Sequence, residues 1–171
     1  LAAAGDVLRA TSVLPPLKRK HPDSHITWVS DAAALPLVSG NPYVDRSLPM
    51  GFESWLVLSR ERFDEAVCLD KEPRAAALLE SVDAGTKLGF GLTEWGTVRP
   101  LNEGAKYDFE LGLSNEMKFF QNEKTYPAMF CEIAELEYAG DPYELPLPDD
   151  AIMRARDWLA SKGPVAPVVG L

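Results

Sequence analysis

Segments typical of helices alternate with segments typical of strands along most of this chain, and this alternation restricts its fold more than any other feature. Apolar, strand-like runs occupy residues 25–30, 63–70 and 86–92, and helix-like runs separate them. Strands separated by helices favour a parallel sheet, because each helix carries the chain back across the sheet to the start of the next strand. We therefore predict an α/β fold with a doubly wound, Rossmann-like parallel sheet flanked by helices.

The first long helix is predicted over residues 6–20, where apolar side chains recur every three or four positions. Pro15 and Pro16 fall inside this segment. Proline lacks a backbone N–H, and its ring crowds the carbonyl four residues earlier in a helix. The pair therefore predicts a kink or a break in the helix.

The two ends of the sequence indicate a piece of a longer protein. The chain enters its first helix almost at once, with no strand ahead of it, and it ends on the apolar run PVAPVVGL. A last helix is expected to begin with Asp149 or Asp150 as its cap. We predict one domain over residues 1–162, without its first strand, and at 163–171 a linker and the first strand of another domain.

The charge and the cysteines exclude some classes of partner. A net charge of −9 leaves no excess of cations to displace counterions from nucleic-acid phosphates, so we expect no nucleic-acid partner. The same charge argues against a broadly polybasic membrane surface, although residues 17–21 form a local basic stretch. No run approaches the roughly 20 apolar residues of a membrane span. Cys68 and Cys131 are expected to be buried free thiols, which fits a reducing compartment.

Ligands of parallel α/β sheets bind beyond the carboxyl ends of the strands. This rule selects four loops, at Gly5-Asp6, Ser30-Asp31, Asp70-Lys71 and residues 89–91. Asp6 has two compatible interpretations. It is either the cap of the first helix, with Gly5 in a tight turn, or a carboxylate at the rim of the crevice that takes a proton from a substrate hydroxyl.

A second group of candidate residues is Asp70, Lys71 and Arg74, at the end of a strand and the start of a helix. Lys71 and Arg74, joined by Arg9, would meet an anionic group of the substrate, since cations do not otherwise suit a helix N-terminus. The alternative is a solvated helix start. Trp95, flanked by a glycine and polar residues, is the candidate platform for a sugar ring, although aromatic residues belong more often to the core.

Several chemistries lack their motifs in this chain. The first loop, AAAGDV, is not a G-x-G-x-x-G fingerprint, and there is no P-loop. No G-x-S-x-G elbow is present. His21 and His25 bracket a proline turn, and no cysteine or acidic residue stands at zinc spacing. We therefore expect no metal ion and no bound cofactor.

Two blocks carry a family resemblance, GDVLRATSVLPPLKRKHPDSHITWVS and GNPYVDR. With FDEAVCLDKEPRAAAL, KLGFGL and PVVGL they resemble glycosyltransferase family 9, the lipopolysaccharide heptosyltransferases and their relatives. The resemblance covers nearly the whole sequence. It implies the N-terminal half of a GT-B architecture, in which two Rossmann-like domains face each other.

The resemblance further implies an inverting, metal-independent transfer of a heptose or related sugar. The donor would be a nucleotide sugar such as ADP-heptose, bound mainly by the second domain, and the fragment alone would be inactive. The acceptor, a lipopolysaccharide-core or other glycan or glycolipid, would bind mainly to residues 1–162. Asp6 matches the aspartate thought to act as general base. A bacterial enzyme in the cytoplasm, at the inner face of the inner membrane, is implied, and peripheral membrane association is compatible with it.

Two other functions stay open from the sequence. One is a non-catalytic module, derived from the same fold, that binds a glycan or a protein. The other is a different two-domain α/β enzyme acting on a nucleotide sugar, such as an epimerase.

Overall fold

The structure, a computed structural model, describes residues 3–163. Its α-helices are α1 (Ala4–Ala10), α2 (Leu14–Lys20), α3 (Phe52–Leu58), α4 (Pro73–Ser81), α5 (Glu103–Leu113), α6 (Tyr126–Ile133) and α7 (Asp149–Ser161). Its strands are β1 (Thr27–Ser30), β2 (Arg46–Pro49), β3 (Arg62–Cys68), β4 (Asp83–Leu92) and β5 (Val98–Pro100). Short 3₁₀ turns at Thr11–Val13 and Leu35–Leu37 and a π-helical turn at Met117–Gln121 complete the regular structure of these residues.

The strands of residues 3–163 form two sheets. In the first, β1 runs parallel to β2, with Thr27 opposite Arg46. In the second, β3 runs parallel to β4, with Arg62 opposite Asp83, and β5 returns antiparallel on the far side of β4. The predicted α/β class with parallel strands and flanking helices is confirmed, and the hairpin β4–β5 adds an antiparallel edge.

The predicted interruption of the first helix is also confirmed. The α-helix stops at Ala10, a 3₁₀ turn follows, and α2 resumes with Pro15 and Pro16 in its first turn. Proline can donate no bond to the preceding turn, so the chain tightens there. The hydroxyls of Thr11 and Ser12 donate to the carbonyls one turn earlier, each at 2.7 Å.

The main core lies where α1, α4 and α6 pack around the second sheet. Phe90 on β4 and Cys131 and Ile133 on α6 are fully buried there. Burying a side chain of the size of Phe90 stabilises the fold by about 1.5–3 kcal/mol. Ala10 and Val13 belong to the same cluster, so the first helical segment is fixed against this half of the molecule. The end of α1 lies beside the start of α6, since Arg9 contacts the ring of Tyr126.

Both cysteines, Cys68 and Cys131, are buried and free, as the sequence predicted. Two local predictions need correction. The cap position of α7 is Pro148, so neither Asp149 nor Asp150 caps it, and both lie in its first turn, where carboxylates offset the helix dipole. The strand predicted at residues 86–92 is confirmed as part of β4, so the selection of residues 89–91 as a loop at the ligand-binding edge is wrong. Of the linker and strand predicted at 163–171, residues 164–171 fall outside the described residues.

Candidate functional site

A cavity of about 1480 Å³ lies between β1 and β3, and α1 contributes to its lining. Asp6 lines it from the first turn of α1, and Asp70 and Lys71 line it just past the end of β3. Ser30, the last residue of β1, lines it as well. Three of the four loops selected from the sequence therefore contribute to the lining of one cavity, which extends along the whole length of β1 and β3.

Asp6 does not cap the helix. The cap position is Ala3, whose backbone is extended, so Gly5 and Asp6 lie inside the first helical turn. The expected tight turn at Gly5 is therefore also absent: the chain is already helical there. The backbone N–H of Asp6 donates to the carbonyl of Ala3 at 2.9 Å. Because Asp6 is not at the cap position, its carboxylate can take other partners, and 55% of the side chain is exposed.

Arg9 holds the carboxylate of Asp6 in one orientation. Its Nη2 donates to Oδ1 of Asp6 at 2.6 Å, and its Nε donates to the carbonyl of Gly5 at 3.2 Å. The guanidinium also lies over the ring of Tyr126, 4.5 Å from the centroid. Such a contact is worth about 0.5–1 kcal/mol at an exposed site. Arg9 is thus fixed from two sides, and through it so is Asp6.

An ion pair joins the residue that follows β1 to the first turn of α4, the helix that follows β3. Nη2 of Arg74 lies 3.6 Å from Oδ2 of Asp31, which follows β1 directly. Nε of Arg74 also donates to Glu72 at 2.6 Å. The hydrogen bond that Arg74 donates to Glu72, followed by the negative charges of Glu72 and Asp31, raises the pKa of Arg74. Arg74 therefore carries two carboxylate partners, Asp31 and Glu72, and none of these three residues lines the cavity.

Lys71 is paired with a residue that the sequence analysis missed. Its Nζ lies 2.8 Å from Oδ2 of Asp108 on α5 and donates to the backbone carbonyl of Asp108 at 3.1 Å. Asp108 is buried, whereas the Lys71 side chain is 40% exposed. The signal in the sequence was spacing: Ala105, Asp108 and Leu111 recur every third residue and are all buried. A carboxylate on an apolar helical face requires a cation.

The remaining candidates have distinct surroundings. Asp70 accepts a hydrogen bond from the backbone N–H of Glu72 at 2.9 Å, which shapes the turn before α4. Trp95 lies in the turn between β4 and β5, is 84% exposed and does not line the cavity. Because β4 is parallel to β3, this turn projects from the same edge of the sheet as Asp70.

The described residues offer no alternative centre based on a metal ion or on a membrane span. Within residues 3–163, no group of three or more His, Cys, Asp or Glu side chains could hold a metal ion. None of the helices in that part of the chain has the length and apolar character needed to cross a bilayer.

Solved structures share this fold. A family 9 glycosyl transferase from Veillonella parvula superposes with a TM-score of 0.67 over 96% of this chain and 48% of its own, at 16% sequence identity. The E. coli heptosyltransferase WaaC, solved with ADP, superposes with a TM-score of 0.52 over 94% of this chain and 51% of its own, at 17% identity. No family profile and no curated protein matches the sequence.

The chain therefore has the α/β fold of one half of a GT-B glycosyltransferase, and the resemblance seen in the sequence is confirmed at the level of the fold. It spans about half the length of the two solved structures that it matches.

Proposed function

We propose that the natural protein is an inverting glycosyltransferase and that the described residues form its acceptor-binding half. The observation that carries this proposal is the carboxylate of Asp6, which lines the same cavity as Ser30, Asp70 and Lys71, the residues at the carboxyl ends of β1 and β3. It caps no helix and is held by Arg9. A fixed, partly exposed carboxylate at a ligand-binding edge suits a general base.

In the proposed reaction, Asp6 takes the proton from an acceptor hydroxyl. The acceptor oxygen attacks the anomeric carbon of the donor sugar as the bond from that carbon to the nucleotide diphosphate breaks. The proton stays on the carboxyl group and the nucleotide leaves with the electron pair. Direct displacement needs no covalent nucleophile, and it inverts the anomeric centre. Arg9 is a positioning residue, because it fixes the carboxylate that touches the substrate.

The cations of the site differ in how readily they could turn to an acceptor phosphate or carboxylate. Lys71 cannot leave Asp108 without stranding a buried charge, which is costly. Arg74 is 57% exposed and its partners are accessible to water, so exchanging one carboxylate for another costs little. We propose Arg74 as the principal acceptor contact, with Lys71, Asp70 and the backbone of Gly5 beside it.

The remaining parts of the proposal concern the whole protein. The donor is a nucleotide sugar such as ADP-heptose, bound mainly by a second domain, with no metal ion and no cofactor. The acceptor is a lipopolysaccharide-core or other glycan, with Trp95 as a platform for a sugar ring. The reaction takes place at the cytoplasmic face of a bacterial inner membrane. The fold shared with WaaC, which was solved with ADP, supports the choice of an adenine nucleotide donor.

The test is a transfer assay on the natural, full-length polypeptide with ADP-heptose and a bacterial core glycan. We expect release of ADP that depends on the acceptor, together with a product of inverted anomeric configuration. Glycan binding without ADP release would instead support a non-catalytic module. Conversion of the nucleotide sugar without an acceptor would support an epimerase, and either result would overturn the proposal.

A further inference from the structure

Tyr126 is an aromatic residue of the cavity that the sequence analysis did not select. It is the first residue of α6, and it lines the cavity together with Asp6 and Lys71. Tyr126 is 40% exposed, so a ligand in the cavity can reach its side chain. Within residues 3–163, no hydrogen bond involves its phenol hydroxyl. Because a phenol hydroxyl both donates and accepts hydrogen bonds, this one can bond to a hydroxyl group of a substrate.

The position of the Tyr126 ring is fixed by its own helix and by the core. Thr125 caps α6, and its side-chain oxygen accepts a hydrogen bond from the backbone N–H of Ala128 at 3.4 Å. Pro127 restricts the backbone in the first turn. The ring packs against Phe130 of the main core, with the two centroids 6.1 Å apart. A side chain held in this way loses little conformational entropy when it contacts a ligand.

The Tyr126 ring also ties the proposed base to the core. Arg9 makes two hydrogen bonds within its own helix, to Asp6 and to the carbonyl of Gly5. Among the described residues, Tyr126 is the one ring, ion-pair or hydrogen-bond partner of Arg9 outside α1. The guanidinium lies 4.5 Å from the ring centroid, and the Arg9 side chain is otherwise 39% exposed. Without the ring, Arg9 would keep only contacts that move together with α1.

We infer that Tyr126 binds the acceptor through its hydroxyl and positions the base through its ring. The inference rests on the proposed function, since it assigns two roles within that site. The hydroxyl makes a hydrogen bond to a hydroxyl group of the acceptor glycan other than the one that reacts. The ring holds the guanidinium of Arg9, and Arg9 orients the carboxylate of Asp6. Tyr126 therefore affects acceptor affinity directly, and it affects the reaction only through Arg9.

A purely structural role of Tyr126 predicts a different behaviour. Phe130, one turn further along α6, packs in the core with 7% of its surface exposed and needs no hydroxyl. If Tyr126 served only the same packing, phenylalanine would replace it without any effect on the acceptor. Substitutions that remove the hydroxyl alone, or the hydroxyl and the ring together, therefore separate the two interpretations.

The test is steady-state kinetics of the natural, full-length polypeptide with ADP-heptose and a bacterial core glycan. Tyr126→Phe should raise the KM for the glycan about 3- to 10-fold at unchanged kcat, as expected for one lost neutral hydrogen bond. Tyr126→Leu should raise KM similarly and also lower kcat about 5-fold or more, because the base is less well oriented. Tyr138→Leu is the matched control: Tyr138 is 36% exposed and does not line the cavity, so neither constant should change.

A second readout needs no turnover. The NMR order parameter of the Arg9 Nε–H group should fall in Tyr126→Leu and stay unchanged in Tyr126→Phe, because the phenylalanine ring still holds the guanidinium. If Tyr126→Leu does not fold, the KM of Tyr126→Phe decides the inference.

Failure of the inference can be told from failure of the proposed function. If the unaltered protein transfers the sugar and Tyr126→Phe has an unchanged KM, or loses as much kcat as Tyr126→Leu, the inference is wrong and the proposed function stands. If the unaltered protein transfers no sugar, the proposed function is wrong. An unchanged Arg9 order parameter in Tyr126→Leu, with an unchanged glycan affinity of Tyr126→Phe in calorimetry, would then overturn the inference as well.

Discussion

Replacing Lys71 by methionine asks how strongly the buried carboxylate of Asp108 depends on its cation. Removing one partner of a fully buried ion pair costs about 3–5 kcal/mol. The Lys71 side chain is 40% exposed, so water can approach the pair, and we reduce the expected cost to about 2 kcal/mol. Methionine keeps most of the length and apolar surface of the lysine stem. The loss of stability in Lys71→Met should therefore come from the missing charge and not from lost packing.

The assay is native-state hydrogen exchange of the α5 amides in the natural polypeptide. A loss of about 2 kcal/mol corresponds to roughly 30-fold faster exchange through local opening. Adding Asp108→Asn to Lys71→Met should restore most of the protection, because the stranded charge is removed. Lys106→Met is the matched control, since Lys106 pairs with Glu103 on the same helix at 3.9 Å and both side chains are exposed. Unchanged exchange in Lys71→Met, or no recovery in the double variant, would refute the reasoning.

Three further predictions concern the scaffold. Gly89→Ala should lower the free energy of unfolding in urea by more than about 3 kcal/mol, since φ is +90° and the new Cβ would lie 1.9 Å from the Cys68 carbonyl oxygen. The control Gly96→Ala, in open space at φ +74°, should lower it by only about 1 kcal/mol. Equal losses in the two variants would contradict this account. Burial raises the pKa of the Cys68 and Cys131 thiols to about 11, so both should resist alkylation at about pH 8 until the protein unfolds, as read by mass spectrometry. A backbone hydrogen bond lowers the pKa of Asp45 from its ordinary value of 3.8, so this carboxylate stabilises the fold above that pH and ceases to do so as the pH falls through the lowered value. The stability loss in Asp45→Asn should accordingly be full at about pH 6 and shrink below about pH 4, and a pH-independent loss would count against it.

Local chemistry made much of the fold predictable. The strand at residues 63–70 and the break near Pro15 follow from apolar runs and from the missing N–H of proline, which act over a few residues. The apolar run at 86–92 likewise predicted a strand, and only the selection of 89–91 as a loop was wrong. Two glycines within three residues suggested a loop there, but Gly89 allows the close approach of β4 to the Cys68 carbonyl, and only the tertiary fold reveals that contact.

The candidate site was predictable as a location and not as a set of contacts. The carboxyl-end rule selected Asp6, Asp70 and Lys71, which do line one cavity. The partner of Lys71 lies 37 residues away in the sequence, and no local pattern pairs the two. The cap position at Ala3 was not predicted, because aspartate is usually the preferred cap residue. In the structure Ala3 has an extended backbone and the helix begins directly after it, at Ala4.

The most direct test of the central claim is the turnover of Asp6→Asn in the natural, full-length polypeptide. Asp150→Asn is the matched control, because Asp150 is also an exposed carboxylate in the first turn of a helix, paired with Arg154. If Asp6 is the general base, its amide variant should fold normally and lose about 10²-fold or more in kcat, while Asp150→Asn keeps its activity. Near-normal turnover in a folded Asp6→Asn protein would contradict the assignment.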